Sequence, residues 1–572
     1  MVNRFRGEVV QRHHISSFVP RTATGSYEHH ARRIMAYYDQ VIAEPHDRIF
    51  LEMMGLFHSA MKLEQKNYLI GNEPFKTYLR NVTDEQWTAM VNRLKAYGLL
   101  APKKETEKNQ PYTQWNCHPL VREHFREVFQ KDKPEDYRET HKVLFEYFDK
   151  APQPPVGTPQ QALLPFYRAI HHGCQAGLYK DSIMVYKEKL LRNDAQAEAT
   201  NRLGMISEDV AALRRFFGEK KIMLSDLPIE DIDFLWGRMA FCLTCQGRLD
   251  EAVNYRKREL AFFEERTEPM GISGAKENLS GLYLMQGQLT LAKDEAEDAL
   301  RIADEAQDWG KKMRAWSRIG AACYLRGEIS NCKEAFNEAE KLQRSGQPTR
   351  PWMHSDYGIY YRLYKIDVAE TIQDYKDILD EASGAMQHGD DRYWLVPSGF
   401  DALVKAVALW RKGDTSTASN FFDQSKSMLE SSGAIIYLPL YLLPRAFFDL
   451  EISNDIEEAK NHVDEAARIA NEYRLPLMSI DADLMLARIA IKDKSDKKAD
   501  EFIKSARNSV IEYSYQLRWT DIALLEAELA VLRGDNHAER RIEHAEKIIK
   551  DSTRLSLLDH IEVLKNKYRH RN

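Results

Sequence analysis

NLSGLYLMQGQLTLAKDEAEDAL, residues 278–300, and its near copy WSRIGAACYLRGEISNCKEAFNEAE, residues 316–340, decide how the rest of the chain is read. Superposed, each is a helix ending at Gly287 or Gly327, then a second helix with small residues along one face. WGRMAFCLTCQGRLDEAVNYRKREL, residues 236–260, repeats the pattern with Gly247 at the turn. The turn glycines at 247, 287 and 327 are 40 residues apart. A fixed period in this range marks stacked helix hairpins, each too small to bury its own apolar face and completed by its neighbours.

Downstream the same spacing continues less regularly. ALVKAVALWRKGDTSTASNFFDQSKSML turns at Gly413, with Ala418 and Phe422 at the packed positions. Later copies turn near Asn454, near Lys494 and at Gly534, with Ala459 and Ala466, then Ala499 and Ala506, at the small positions. The gap from 327 to 413 leaves room for two units, and WMHSDYGIYYRLYKIDVAETIQDYKDIL supplies the divergent one. The count is eight repeats over 231–572, preceded by degenerate helical repeats over 162–230. The turn glycines supply a positive φ after the first helix, and the small residues let neighbouring helices interlock.

These residues resemble the tetratricopeptide repeat (TPR). Trp316, Ile319, Gly320, Gly327, Cys332, Phe336 and Ala339 fall on its consensus offsets, as do Leu279, Tyr283, Gly287, Ala292 and Ala299. The resemblance implies an all-α, TPR-like α-solenoid, a right-handed superhelix of helix hairpins. A period above the usual 34 implies longer helices.

Ahead of the array the pattern changes. After a polar start and a helical stretch within 1–45, residues 46–150 read as a separate small domain. Thr83 and Gln86 have capping-box spacing before DEQWTAMVNRLKAYGLL, whose apolar face carries Trp87, Met90, Leu94 and Tyr97. Gly98 ends that helix. LLAPKK and YTQWNCH then read as two strands around the polar turn ETEKNQP, and HPLVREHFREVFQ resumes as helix. Helix, two-stranded wing and helix is the winged-helix arrangement. A DNA reader of that type needs cationic and amide side chains on its recognition helix. Only Asn92, Arg93 and Lys95 offer them, so a protein-contact role is expected ahead of DNA binding. APQPPVGTPQQ, residues 151–161, is a proline-rich linker.

The order HHARRIMAYYDQ, LEMMGLF, WTAMVNRLKAYGLL, HPLVREHF and then the repeats resembles the C-terminal part of bacterial signal-transducing ATPases of the STAND class. Those proteins place a nucleotide-switch module ahead of a winged helix and a sensor array. The resemblance implies a role for His118 in closing the winged helix onto a nucleotide. The sequence contains no G-x-x-x-x-G-K-[ST] loop, so no cofactor is expected, and His118 would meet a nucleotide only if one were supplied in trans. The implied role is signalling, in bacterial conflict or phage defence, with an ATPase or effector on a separate chain.

Composition narrows the classes. With 81 basic and 87 acidic residues, the net charge of −6 gives no basic field for nucleic acid or anionic membrane. Six cysteines without a regular framework suit a reducing compartment. MVNRFRGEVVQRHH has no apolar signal region, and the longest apolar run, AIIYLPLYLL, is too short to span a bilayer. A cytoplasmic protein is expected.

No catalytic or metal constellation is legible. Cys242 and Cys245 form C-x-x-C inside a repeat helix and read as core; no further pair of zinc ligands has matching spacing. Paired histidines at 13–14, 29–30 and 171–172 lack H-E-x-x-H spacing, and no G-x-S-x-G occurs. The sharper expectation is a partner-binding groove for a protein or peptide. Tyr324, Tyr357, Tyr361, Tyr364, Trp410 and Tyr441 fall on first-helix positions, with Arg314, Arg411 and Arg445 close by. Aromatic and arginine side chains suit recognition through large contact areas and charge-assisted hydrogen bonds. Placement of several of them in the core between repeats stays open. The other readings are a winged-helix transcription regulator and a detached part of a full STAND ATPase.

Overall fold

The computed structural model describes residues 38, 42, 44–103, 113–151, 158–191, 203–217, 227–391 and 395–571. The sequence-predicted loop TATGSYE, most of the helix through 29–43, the turn ETEKNQP and the centre of the 151–161 linker lie outside them. The chain divides into two compact units, with the boundary in sequence between Lys189 and Leu190.

The first unit is helical with one small sheet. Its elements are α1 (Pro45–Gly55), β1 (Met61–Lys62), α2 (Leu63–Gly71), α3 (Phe75–Tyr78), α4 (Asp84–Ala96), β2 (Ala101–Lys103), β3 (Gln114–Asn116), α5 (Pro119–Asp132), α6 (Pro134–Asp149), α7 (Pro159–Ala176) and α8 (Tyr179–Val185). The capping box forms as the spacing requires: Thr83 Oγ1 accepts from Gln86 N at 3.3 Å, and Gln86 Oε1 accepts from Thr83 N at 3.0 Å. β2 and β3 pair antiparallel. The sheet gains a third strand, because β1 pairs with the other edge of β3, giving the order β1-β3-β2. Two residues of MKLEQK are too few to show an alternating pattern, so the sequence hid that strand. α1 crosses α5 so closely at Gly55 that a Cβ there would lie 2.8 Å from the backbone N of Arg126.

The second unit is an all-α, TPR-like solenoid. After α9 (Ile206–Leu213) come eight hairpins among the described residues: α10/α11 (Ile229–Cys245, Leu249–Glu265), α12/α13 (Pro269–Met285, Leu289–Glu305), α14/α15 (Trp309–Leu325, Ile329–Gly346), α16/α17 (Ser355–Val368, Ile372–Asp391), α18/α19 (Leu395–Lys412, Thr415–Ser431), α20/α21 (Leu438–Phe448, Ile456–Glu472), α22/α23 (Pro476–Lys492, Asp496–Glu512) and α24/α25 (Trp519–Arg533, Ala538–Lys550). α26 (Leu558–Arg571) follows.

The period has a local cause. Nine of the sixteen hairpin helices have 17 residues, and the three-residue connection after each of these nine contains one left-handed residue. Positive φ recurs at 247, 267, 287, 307 and 327, and again at 454, 474, 494, 514 and 534, so one such turn falls every 20 residues. Glycine is the unstrained choice there. Thr267, Gln307, Asn454, Arg474, Lys494 and Ser514 take the same conformation at a modest cost. Ala292, Ala296 and Ala299 are fully buried where α13 meets its neighbours, and Gly320 lies against the Phe336 ring, which a Cβ would overlap.

The array winds back onto itself. Gly247 packs on Tyr473, Gly287 on Pro476 and Tyr513, and Gly327 on Gln516. Tyr473 and Tyr513 lie 226 residues beyond the glycines they cover, between five and six hairpins later. An exposed ion pair, Arg474 Nη1 to Asp250 Oδ2 at 3.5 Å, crosses the same seam. The first helices of the array therefore line an interior that later hairpins close over at this seam.

Candidate functional site

Side chains from the first helices and from the connections beside them meet in that interior in two clusters. In the first, Glu277 on α12 receives Arg318 Nε at 2.9 Å and Tyr357 Oη at 3.1 Å, with Arg314 Nε at 3.6 Å. Arg318 Nη2 reaches the half-exposed Asp356 at 2.5 Å, and its guanidinium lies 4.5 Å from the Tyr357 ring centre. Burial opposes the charge on Arg318, but Asp356 and Glu277 outweigh it and raise the pKa well above the ordinary arginine value. A cavity of about 70 Å³ opens beside this cluster, lined by Leu284, Met285, Ile359, Tyr360, Phe400 and Met478 together with Arg318 and Asp356.

The second cluster joins hairpins that are far apart in sequence. Tyr324 Oη donates to Asp367 Oδ2 at 2.5 Å, and Asp367 pairs with Arg554 at 3.2 Å. Arg554 also holds Asp521 at 3.2 Å, which Arg488 reaches at 3.3 Å and Arg518 at 3.5 Å. Arg518 grips Asp481 through two nitrogens at 2.6 and 2.7 Å. Burial pushes the Asp521 carboxyl up, but the Arg554, Arg518 and Arg488 guanidiniums prevail and hold it at about 2. Asp367 moves the other way: burial raises its pKa despite Arg554 and the Tyr324 hydroxyl.

The nine sequence-predicted groove residues divide. Arg314, Tyr324 and Tyr357 belong to these clusters. Trp410 packs on Phe447 and Phe448, with ring centroids 5.3 and 5.6 Å away, and the Arg411 guanidinium lies 4.6 Å from the Trp410 ring centre. Tyr361 and Tyr364 are buried against Phe336, and Tyr441 against Phe422, in the packing between hairpins. Arg445 pairs with Asp449 at 2.9 Å and with Asp423 at 3.3 Å.

In the first unit His118 caps α5, its Nδ1 accepting from Leu120 N at 3.2 Å, and burial lowers its pKa. Arg93 is clamped by Asp47 through contacts of 3.0 and 2.6 Å, while Asn92 and Lys95 are exposed. Cys242 and Cys245 are buried on α10, and burial pushes the Cys245 thiol up to about 12. No group of three or more potential metal ligands occurs among the described residues, and no helix among them is long and apolar enough to cross a membrane.

Sequence reasoning missed Glu277, Asp367, Asp481, Arg488, Asp521 and Arg554. The available signal was a lone charge in an apolar first helix: Asp521 in WTDIALL and Arg488 in LMLARIA have no amphipathic reason to be there.

No family model and no curated protein matches this chain. Among solved structures, it is similar to a Signal Transduction ATPase with Numerous Domains (STAND) protein with a tetratricopeptide repeat sensor from Pyrococcus horikoshii. That match has 16% identity and a TM-score of 0.41, covering 96% of this chain and 68% of that one. It is also similar to a Rap protein complexed with competence and sporulation factor, at 12% identity and a TM-score of 0.40, covering 68% of this chain and 95% of that one.

Proposed function

We propose that this chain is a non-catalytic sensor or adaptor whose helical array takes a protein or peptide partner on its inner face. On this reading the first unit is a winged-helix module that docks onto an ATPase or effector chain, in signalling of the bacterial STAND type such as antiphage defence. The observation that carries the proposal is the charged lining of the interior. A buried ion pair is rarely more stabilising than apolar residues of the same volume. An array built only for stability would fill its interior with leucine and alanine, as it does between hairpins. The Glu277–Arg318–Asp356 and Asp367–Arg554–Asp521 chains instead present polar groups of fixed geometry, which suits recognition.

The test is partner capture by the wild-type chain and by a double variant, Arg314→Ala with Tyr357→Phe. The partner should be lost at unchanged helicity; equal capture would refute the inner-face assignment. DNA reading is not favoured, because the Asp47 clamp occupies Arg93. A salt-dependent gel shift of duplex DNA would reverse that preference.

A further inference from the structure

A cleft of about 440 Å³ lies where the second helices α13 and α15 flank the first helix α14, within the roughly 300–1,000 Å³ of ligand pockets. From α14 it is lined by Lys312 and Trp316. Arg314 and Arg318, two residues further along, point into the interior cluster. Two residues turn a helix by roughly 200°, so the cleft belongs to the opposite face of α14, on the second-helix side of the array. Trp316, Leu300 and Leu342, all half-buried, are its apolar lining. The Trp316 indole makes no hydrogen bond, ring stack or cation–π contact among the described residues.

Three carboxylates and two cations share the rim, and both cations are engaged. Lys312 pairs with Asp304 at 2.5 Å, and Arg301 pairs with Glu305 at 3.5 Å and Asp298 at 3.8 Å. Glu297 and Glu338 have only weak partners. Lys293 lies 4.0 Å from Glu297 but 2.7 Å from Glu328, which holds it more closely. Lys341 reaches Glu338 at 3.4 Å in an exposed pair on one helix, a contact of little strength. The surrounding field has the same sign, since α13 carries six acidic residues and two basic ones.

An indole without a partner, beside two weakly held carboxylates, suits a flat cation. A guanidinium stacks on an aromatic face and still presents its N–H groups in its own plane to carboxylates. An ammonium is a compact, strongly hydrated charge that uses the ring less well, and an anion meets repulsion from the surplus carboxylates.

We propose that this cleft is a docking site for an arginine side chain on a basic segment of a partner, with Trp316 as the platform and Glu297 and Glu338 holding the guanidinium. The site is separate from the inner face, so it stands or falls independently of the proposed function.

The probe is acetyl-arginine-amide, titrated against the full chain by saturation-transfer NMR in about 150 mM salt, where long-range attraction is largely screened. Acetyl-citrulline-amide, its neutral isostere, and acetyl-lysine-amide are titrated beside it. The arginine probe should bind, the citrulline probe should not, and the lysine probe should bind more weakly. Glu297→Gln with Glu338→Gln should weaken the arginine probe on the order of tenfold at an unchanged circular-dichroism melt. Asp464→Asn with Glu465→Gln removes the same charge from exposed positions on α21 and should leave the affinity within about twofold of wild type. Trp316→Leu should lose the preference for arginine over lysine. The inner-face variant, Arg314→Ala with Tyr357→Phe, should bind the probe as wild type does, whatever becomes of its partner. Equal weakening by the two charge-removing double variants would overturn the site, because general attraction to an acidic chain would then explain the binding. Equal binding of the arginine and citrulline probes would overturn it as well, as would no binding of the arginine probe by wild type.

Discussion

Lowering the pH from 7.5 to 5 should loosen the first unit around α6 and α7, through histidines buried there without their charge. His141 Nδ1 lies 2.8 Å from His172 Nδ1, His141 packs edge-on to Tyr137 at 4.4 Å, and His172 stacks on Phe148 at 5.4 Å. Burial lowers both, taking His141 from 6.5 to about 3 and His172 well below its ordinary value. The charged groups acting on them add to the effect: Arg126 and His58 on His141, and His141, His171, His58 and Arg168 on His172. The unfolded chain binds a proton at each histidine below 6.5, whereas the folded chain refuses one on His141 until about 3. Stability is therefore complete above 6.5 and falls as the pH drops between those values. Each unit of pH costs about 1.4 kcal/mol per proton, so His141 alone removes about 2 kcal/mol by pH 5. His172 contributes in the same direction. Against a typical domain stability of about 5–15 kcal/mol this is a large fraction. The assay is hydrogen exchange followed by mass spectrometry on the full chain, read on peptides from residues 134–176 and corrected for intrinsic rates. Wild type should lose about 30-fold protection through His141 by pH 5, and His141→Gln should keep that share. An identical slope in the variant, or none in the wild type, would refute the reasoning.

Gly320→Ala drives a methyl into the Phe336 ring and should cost about 1–3 kcal/mol in urea unfolding of the array. Gly247→Ala combines a left-handed backbone with overlap on Tyr473, so exchange should rise locally at residues 247 and 473 on the two sides of the seam. Asp521→Asn removes the carboxylate that three guanidiniums share and should cost about 3–5 kcal/mol, seen as a lower urea midpoint at pH 7. Lys494→Gly relieves a positive φ of 58° and should stabilise the array by about 1 kcal/mol in the same assay.

The repeat was legible because its determinants are local. A left-handed residue every 20 positions and alanines at fixed offsets leave marks that survive where glycine is replaced, as at Asn454 and Lys494. The capping box of α4 and the paired strands β2 and β3 were readable for the same reason. The third strand was not, because pairing of Met61 with Trp115 depends on residues 54 positions apart rather than on any pattern in MK. The interior was hidden by a non-local fact. Whether Tyr361 lines a surface or packs between hairpins depends on its orientation against Phe336, and first-helix position alone leaves both open. Enclosure of the interior depends on how many hairpins complete a turn, which small rotations between repeats set and no single residue announces.

That winding also bears on the size of partner the proposed function can accept. The seam at Gly247 and Tyr473 closes the array after fewer than six hairpins, and the interior is narrow enough for side chains to bridge it. Tyr324, Asp367, Arg554 and Asp521 form a continuous chain from α14 through α16 to the connection between α25 and α26 and on to α24, with every link 3.2 Å or shorter. An interior that such a chain can span leaves space for an extended segment or a chain end, not for the face of a folded protein. A folded partner would have to open the seam, where rings pack on turn residues and an exposed ion pair joins Arg474 to Asp250, and would also have to part the Tyr324–Asp367–Arg554 chain. On the proposed reading, ligand entry and opening of the seam are therefore coupled. A peptide that occupies the interior should raise exchange protection at residues 247–250 and 473–476 together, whereas binding on the outer surface would leave both unchanged.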